Sequence, residues 1–166
     1  MRWLTEARRH IGVREVPGVA NNPVIMGWAD RLGARVLGIK YDADSVPWCG
    51  LFAAWCVHQA GLRPPGISIR AKAWADWGDA VSMVATRPPL GAIAVFGRDG
   101  GGHVGFVESV NTDASLNIIG GNQSDEVNVR RFARNRLIAL RWPKGVARSD
   151  PAPWARSAVI DTGGEA

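Results

Sequence analysis

The spacing of hydrophobic residues predicts helices in the first half of the chain. Apolar residues recur at i, i+3 and i+7 near the start, which predicts a helix over about 5–11. A second helix is predicted over 23–32, behind the turn-forming ANN. A longer apolar helix is predicted over 48–60, because Gly61 follows where helices often end in a left-handed residue. A short helix is expected over 70–77.

The second half changes to short apolar runs separated by turn residues, which is the pattern of β-strands. Strands are expected at 92–96, 103–110, 115–122, 127–132 and 137–142. They follow one another closely, which predicts an antiparallel meander of about five strands packed on N-terminal helices, an α+β fold. We expect a single domain over 1–142 and a poorly structured C-terminal tail over 143–166.

Composition narrows the class of protein. Of the 166 residues, 46% are apolar and 21% charged, and no apolar run approaches the roughly 20 residues of a membrane span. We therefore expect a soluble protein with no membrane partner. Charges are scattered through residues 1–18, so no signal peptide is predicted and synthesis in the cytoplasm is expected.

Arginine supplies most of the net charge of +5, and a cluster of arginines lies at 130–136. Such clusters bind nucleic acid or an anionic cell-wall polymer in some proteins, but a run of charges is more often a solvated surface. We interpret this cluster as solvated surface and expect no nucleic-acid partner.

Both cysteines, Cys49 and Cys56, lie on the predicted helix 48–60. Seven residues of helix separate their α-carbons by about 10.5 Å along the axis, which exceeds the roughly 7 Å that a disulfide spans. Their spacing and the placement of the histidines do not match the usual ligand patterns of zinc. The sequence therefore predicts neither a disulfide between them nor a bound metal.

The two cysteines differ in their position along that helix. Cys49 stands at the helix start, where free N–H groups and the helix dipole stabilise a thiolate, whereas Cys56 is expected to pack in the core. A nucleophilic thiol needs a base. His58 projects from the opposite side of the helix and His10 lies outside any motif. His103, at the start of a predicted strand, is therefore the candidate base.

A hairpin between the second and third predicted strands supplies a third residue. Its expected register pairs Val110 with Ser115, Val107 with Ile118, Gly105 with Gly120 and His103 with Asn122. Asn122 is then expected to hydrogen-bond one ring nitrogen of His103 and leave the other for Cys49. A change of register by one residue would instead place Gln123 or Gly121 opposite His103.

Five segments together resemble a known family. In order they read IGVREVPGVANNPVI, VPWCGLFAAWCVHQAGL, SIRAKAWADWG, GAIAVFGRDGGGHVGFV and IIGGNQSDEVNVRRF. This set spans about residues 5–142 and resembles the NlpC/P60 and CHAP superfamily of papain-like cysteine peptidases and amidases, in particular its small bacterial and phage branch with a PWC motif. The resemblance implies a papain-like fold with Cys49 as nucleophile, His103 as general base and Asn122 as the third, polar residue.

The resemblance also implies a reaction. Members of this superfamily commonly cut amide bonds of peptidoglycan, within the stem peptide or between muramic acid and the first alanine, through a thioacyl-enzyme and with no cofactor. Two rival hypotheses are an acyltransferase on the same fold, in which an amine replaces water, and a non-catalytic module that binds cell wall or nucleic acid. We expect a monomer that acts on the wall after delivery by phage lysis or a secretion system. A secreted effector toxin would also have an inhibitory partner protein.

Three further residues are candidates for binding the substrate. Trp48 is expected to wall the groove, Tyr41 to donate a hydrogen bond to an oxyanion as tyrosines of some relatives do, and Arg70 to meet a stem-peptide carboxylate. Each role has a structural alternative, such as core packing for Trp48 and solvation for Arg70.

Asp42 and Asp44 resemble the calcium loops of some CHAP enzymes. Two carboxylates fall short of the roughly six to eight oxygen ligands that calcium takes. We expect Asp44 or Ser45 to cap the following helix instead, and no calcium site is predicted.

Overall fold

Three α-helices precede a six-stranded antiparallel sheet in the computed structural model, which describes residues 1–156. The helices are α1 Arg2–Arg9, α2 Pro23–Leu37 and α3 Cys49–Gln59, and two short 3₁₀ helices span Ala71–Asp76 and Arg134–Arg136. The strands are β1 Asp79–Val81, β2 Ile93–Arg98, β3 Gly101–Val110, β4 Leu116–Gly120, β5 Asn128–Phe132 and β6 Leu137–Trp142. The α+β class expected from the sequence is confirmed.

Several element bounds differ from the expected ones, and the first helix, predicted over 5–11, spans Arg2–Arg9. The helix predicted over 23–32 is interrupted at Gly33, whose φ of 75° and ψ of 160° are not helical, and a second helical segment continues α2 to Leu37. Glycine tolerates that positive φ, so the predicted end at Leu32 coincides with a kink within α2. The segment 70–77 forms a 3₁₀ helix instead of an α-helix, and β1 was not expected because it has only three residues.

The order of the strands corrects the predicted meander. The sheet runs β1-β6-β2-β3-β4-β5, so β2 to β5 are consecutive neighbours, but β6 crosses back to pair with β2. Residues 93–96 of β2 are fully buried. An exposed edge of such an apolar strand would be unfavourable, and β6 covers it. Hydrophobic pattern identifies a strand without identifying its partner.

The helix α3 is the centre of the core. Every residue from Cys49 to Val57 is buried, and the helix packs against α1, α2, β3 and β4. Aromatic contacts join it to its neighbours, as Phe52 meets Phe106 of β3 and Trp28 of α2. Its first turn lies directly against the chain before the first 3₁₀ helix, because a β-carbon on Gly50 would stand 2.3 Å from the carbonyl oxygen of Ser68.

Part of the segment predicted as a tail, 143–166, is seen in the structure. The backbone N–H of Val110 donates to the carbonyl of Pro153, the N–H of Ala152 donates to Pro88, and Ala152 is fully buried. This portion is held against the sheet, whereas residues 157–166 lie outside the described residues. Within 1–156, none of the helices combines the length and apolarity needed to cross a membrane.

The packing of α3 predicts opposite effects of two glycine substitutions. Gly50→Ala is expected to lower the free energy of unfolding by about 1–3 kcal/mol, because its β-carbon would overlap backbone carbonyls. Gly27→Ala is the control, since this α2 glycine has nothing within 4 Å of an added β-carbon and alanine favours helix by about 1 kcal/mol. Urea unfolding measures both, and equal effects would contradict the packing described.

Candidate active site

Cys49 is the first residue of α3, so the sulfur lies where the helix leaves backbone N–H groups without helical partners. The side chain is buried, and the backbone N–H groups of Val104 and Gly50 lie close enough to the sulfur to lower the pKa of the thiol. The contact with Val104 places the thiol against β3, beside His103. Burial raises the pKa of Cys49, and these N–H groups and the charge of Arg98 oppose the rise only in part. The thiol is therefore protonated at neutral pH.

His103 lies in β3, and its ring stacks on the ring of Phe132 with 5.1 Å between the ring centroids. Its Nε2 is 2.9 Å from Oε1 of Gln123. Burial lowers the pKa of His103 to about 4, the hydrogen bond to Gln123 opposes this, and the nearby charges of Arg98 and Arg136 lower it further. The imidazole is therefore neutral at pH 7.

Asn128, the first residue of β5, fixes the orientation of the Gln123 amide. Nε2 of Gln123 donates to the backbone carbonyl and to Oδ1 of Asn128, each at 2.8 Å, and Nδ2 of Asn128 donates back to the carbonyl of Gln123. Because the NH₂ group faces these acceptors, Oε1 must face the ring of His103. The proton of the neutral ring is therefore on Nε2, and Nδ1 is left as an acceptor.

Glycine at position 120 leaves room for this arrangement. A β-carbon there would stand 2.7 Å from Oε1 of Gln123 and 3.0 Å from Nε2 of His103. Any other residue at Gly120 would press on the hydrogen bond between the amide and the ring. The adjacent Gly121 packs against Trp48, where an added β-carbon would come within 2.5 Å of the indole.

The hydrogen bond predicted between Asn122 and His103 is wrong, because Gln123 takes that position. The predicted pairing of Val107 with Ile118 is confirmed, but β4 ends at Gly120 and Asn122 adopts a left-handed φ of 56° in the following turn. Its Oδ1 is buried with no hydrogen-bond partner among the described residues. The geometry favours Gln123 as the residue that orients the ring, and a direct role of Asn122 stays a prediction.

A bulge in the hairpin explains the remaining error in register. The pairing of β3 with β4 shifts between Val107 and Ser109, so Val110 pairs with Leu116 and not with the expected Ser115. A bulge adds one residue to one strand, and a count of loop residues cannot include it.

Two of the three residues expected to bind substrate are core residues. Trp48 is fully buried and its Nε1 donates to Oε1 of Glu15 at 2.7 Å. Tyr41 is also buried, and its hydroxyl donates to the carbonyl of Val46 at 3.0 Å, so its proton is already used. Burial, together with the charges of Asp44 and Glu15, raises the pKa of Tyr41. The structure thus contradicts the groove wall and the oxyanion donor expected from the sequence.

Arg70, the third of these residues, lines an open cleft over Cys49. The cleft has a volume of about 360 Å³. Its remaining walls come from the chain before α3, the first 3₁₀ helix and the turn between β2 and β3: Pro47, Ile69, Ala71, Lys72, Arg98, Gly100, Gly101 and Gly102. The nucleophile candidate is thus reached from solvent through a cleft with cationic side chains.

Asp44 holds a loop instead of capping α3. Its Oδ2 accepts from the N–H groups of Val16 and Asn22, and the side chain is buried. The cap residue of α3 is Trp48, which makes no side-chain hydrogen bond to the helix, so the predicted cap at Asp44 or Ser45 is wrong. Across residues 1–156, no group of three or more His, Cys, Asp or Glu side chains is placed to hold a metal ion.

Comparison with known proteins assigns the family. Residues 41–122 match the family model of the CHAP domain, and that segment contains both Cys49 and His103. The chain contains a CHAP domain. The resemblance to the NlpC/P60 and CHAP superfamily is therefore confirmed, and the domain is of the amidase- or peptidase-like hydrolase type. Neither the curated proteins nor the solved structures gave a significant match.

The sequence proposed Cys49 and His103 as site residues but assigned no role to Asn128. A signal for Asn128 was present, because it is the second residue of the strand predicted over 127–132, which follows the hairpin closely. Antiparallel pairing of β4 with β5 places it directly opposite Gly120. The matched segment of the CHAP domain ends just before Gln123.

The buried neutral imidazole of His103 predicts a loss of stability in acid. Its folded pKa of about 4 lies below the ordinary 6.5, so its contribution is complete above pH 6.5 and is lost as pH falls to about 4. Between these limits the wild type is expected to lose up to about 3 kcal/mol more unfolding free energy than His103→Gln, which does not titrate. Urea unfolding at several pH values measures this difference.

The exposed His58 provides the matched control for that measurement. His58→Gln is expected to keep the acid dependence of the wild type, since this side chain lies on the solvent side of α3. An equal acid dependence of His103→Gln and the wild type would contradict a buried, neutral His103.

Proposed function

We propose that this CHAP domain is a peptidoglycan hydrolase that cuts an amide bond of the wall peptide through a thioacyl-enzyme on Cys49. One observation carries the proposal. A thiol at the start of α3 lies against β3 beside His103, whose ring is oriented by Gln123, and an open cleft gives access to it. Membership of the CHAP family supports the same class of reaction.

Proton transfer accompanies the attack in the mechanism that we propose. Burial raises the pKa of Cys49 and lowers that of His103 to about 4, which disfavours a resting ion pair. Nδ1 of His103 takes the thiol proton as the sulfur bonds to the carbonyl carbon. Oε1 of Gln123 accepts from Nε2–H throughout and stabilises the imidazolium that forms.

The remaining steps return the enzyme to its starting state. The C–N bond breaks as His103 passes its proton to the leaving amine, which leaves an acyl group on the sulfur of Cys49. Water then attacks the thioester with His103 as base, and the products are a carboxylic acid and free thiol. Backbone N–H groups at the start of α3, including that of Cys49, stabilise the negative oxygen of each tetrahedral intermediate.

The proposal includes a place of action. Peptidoglycan lies outside the cytoplasmic membrane, so the domain acts in the periplasm or wall after delivery by phage lysis or a secretion system. A chain delivered as an effector would require an inhibitory protein in the cell that produces it.

Loss of the thiol tests the proposal. Cys49→Ala is expected to reduce cleavage of defined muropeptides at least about 10³-fold, because no other group supplies the nucleophile. Cys56→Ala is the control, since Cys56 is buried within α3 and lies outside the cleft lining. Mass spectrometry of the products measures cleavage, and unchanged cleavage by Cys49→Ala would overturn the thioacyl mechanism.

The same products identify the bond and test the rival reaction. Cleavage inside the stem shortens the peptide, whereas cleavage next to muramic acid separates sugar from peptide. An added amine that appears in the product, with little free acid, would indicate an acyltransferase. No cleavage at all by the wild type would overturn the hydrolase proposal.

Two substitutions decide which residue orients His103. Gln123→Met removes the hydrogen bond to Nε2 while keeping a side chain of similar length, and a fall in kcat of about 10²-fold is expected. Asn122→Gly keeps the left-handed backbone and is expected to change kcat only a few-fold. Steady-state kinetics on one muropeptide measures both, and a larger loss in Asn122→Gly would reverse the assignment.

Asn128 is a positioning residue whose effect must pass through Gln123. Asn128→Ala is expected to lower kcat, and the double variant with Gln123→Met is expected to be no slower than Gln123→Met alone. Losses that add in the double variant would indicate an independent, structural effect.

A further inference from the structure

Within residues 1–156, the cleft over Cys49 is lined by cations and by no acidic side chain. Arg70 and Lys72 stand at the start of the first 3₁₀ helix, and Arg98 is the last residue of β2. The remaining lining residues are uncharged. Any substrate that reaches the thiol therefore passes between positive charges.

Arg70 and Lys72 differ in their partners from four of the other arginines. Four arginines elsewhere in the described part of the chain pair with glutamate or aspartate: Arg8, Arg9, Arg14 and Arg131. Neither Arg70 nor Lys72 forms an ion pair with an acidic side chain within residues 1–156. Their charge is available to a ligand in the cleft.

Gly101 and Gly102 leave room beside two of these cations. A β-carbon on Gly102 would stand 3.4 Å from Cγ of Lys72, so the stem of Lys72 lies across a position with no side chain. A β-carbon on Gly101 would likewise stand 3.3 Å from Nε of Arg98. A side chain at either glycine would therefore crowd these two cations.

The cationic lining has opposite effects on the two reacting groups. The charge of Arg98 lowers the pKa of Cys49, which favours the nucleophile, but it also lowers the pKa of His103 and so disfavours the imidazolium that the attack requires. An anion bound in the cleft would offset both effects, because a negative charge raises the pKa of the imidazole and of the thiol alike.

We propose that the cleft selects wall peptides with free carboxylates beside the scissile amide, and that Arg70 and Lys72 bind those carboxylates. This inference rests on the proposed hydrolase function and names its substrate class: acidic stem peptides whose carboxyl groups are not converted to carboxamides. Arg70 suits the planar, two-oxygen geometry of a carboxylate, and Lys72 contributes a point charge.

Two peptides that differ only in charge test the selection. One stem peptide carries free carboxylates on its glutamate and diamino-acid residues, and the other carries carboxamides there. The wild type is expected to show a kcat/KM about 10- to 100-fold higher for the free acid, and this preference is expected to weaken as salt increases.

Arg70→Gln/Lys72→Gln is expected to cut both peptides at similar rates. Lys144→Gln, which removes an exposed cation outside the cleft lining, is expected to keep the wild-type preference.

Binding to the inactive Cys49→Ala protein separates the two levels of the proposal. Calorimetry with the same two peptides is expected to show tighter binding of the free acid, and no such difference when Arg70→Gln and Lys72→Gln are added.

Equal cleavage of both peptides by the wild type, together with equal binding of both by Cys49→Ala, would overturn the inference but leave the hydrolase function. Preferential binding of the free acid without any cleavage would overturn the hydrolase function and leave the selection of carboxylates. A preference retained in the double variant would overturn the assignment to Arg70 and Lys72.

Discussion

The site depends on one close contact, between the first turn of α3 and the turn that follows β4. Trp48 and Gly121 touch there, and Gly50 lies equally close to the backbone of Ser68 on the other side of the helix start. No side chain larger than hydrogen fits at either glycine without displacing its neighbours. The contact fixes the distance between the helix that carries Cys49 and the sheet that carries the histidine, so reactivity is a property of packing.

Burial favours the neutral form of both reacting groups. It raises the pKa of the Cys49 thiol and lowers the pKa of the His103 imidazole, so the resting pair is neutral. The amide pair of Gln123 and Asn128 makes this neutral state specific, because it determines which ring nitrogen carries the proton.

Features of the fold that depend on the local pattern of residues could be predicted from the sequence. The apolar helix that begins at Cys49, the strand that begins near His103 and the α+β class follow from spacing and from turn residues. Features that depend on distant parts of the chain were not predictable in this way. The partner of β6 depends on which edge of β2 is left open, and the exchange of Asn122 for Gln123 depends on where β4 ends. The sequence around Trp48 is compatible both with a residue that lines a groove and with one that packs in the core.

The place of β6 in the sheet has a consequence for how the domain is made. Because β6 lies between β1 and β2, the apolar edge of β2 stays open until the last strand has left the ribosome. During synthesis, the hairpin of β3 and β4 is therefore complete before β6 is available to close the sheet. Folding must wait for nearly the whole domain, and the unpaired edge is the surface that a chaperone or a second nascent chain would meet first.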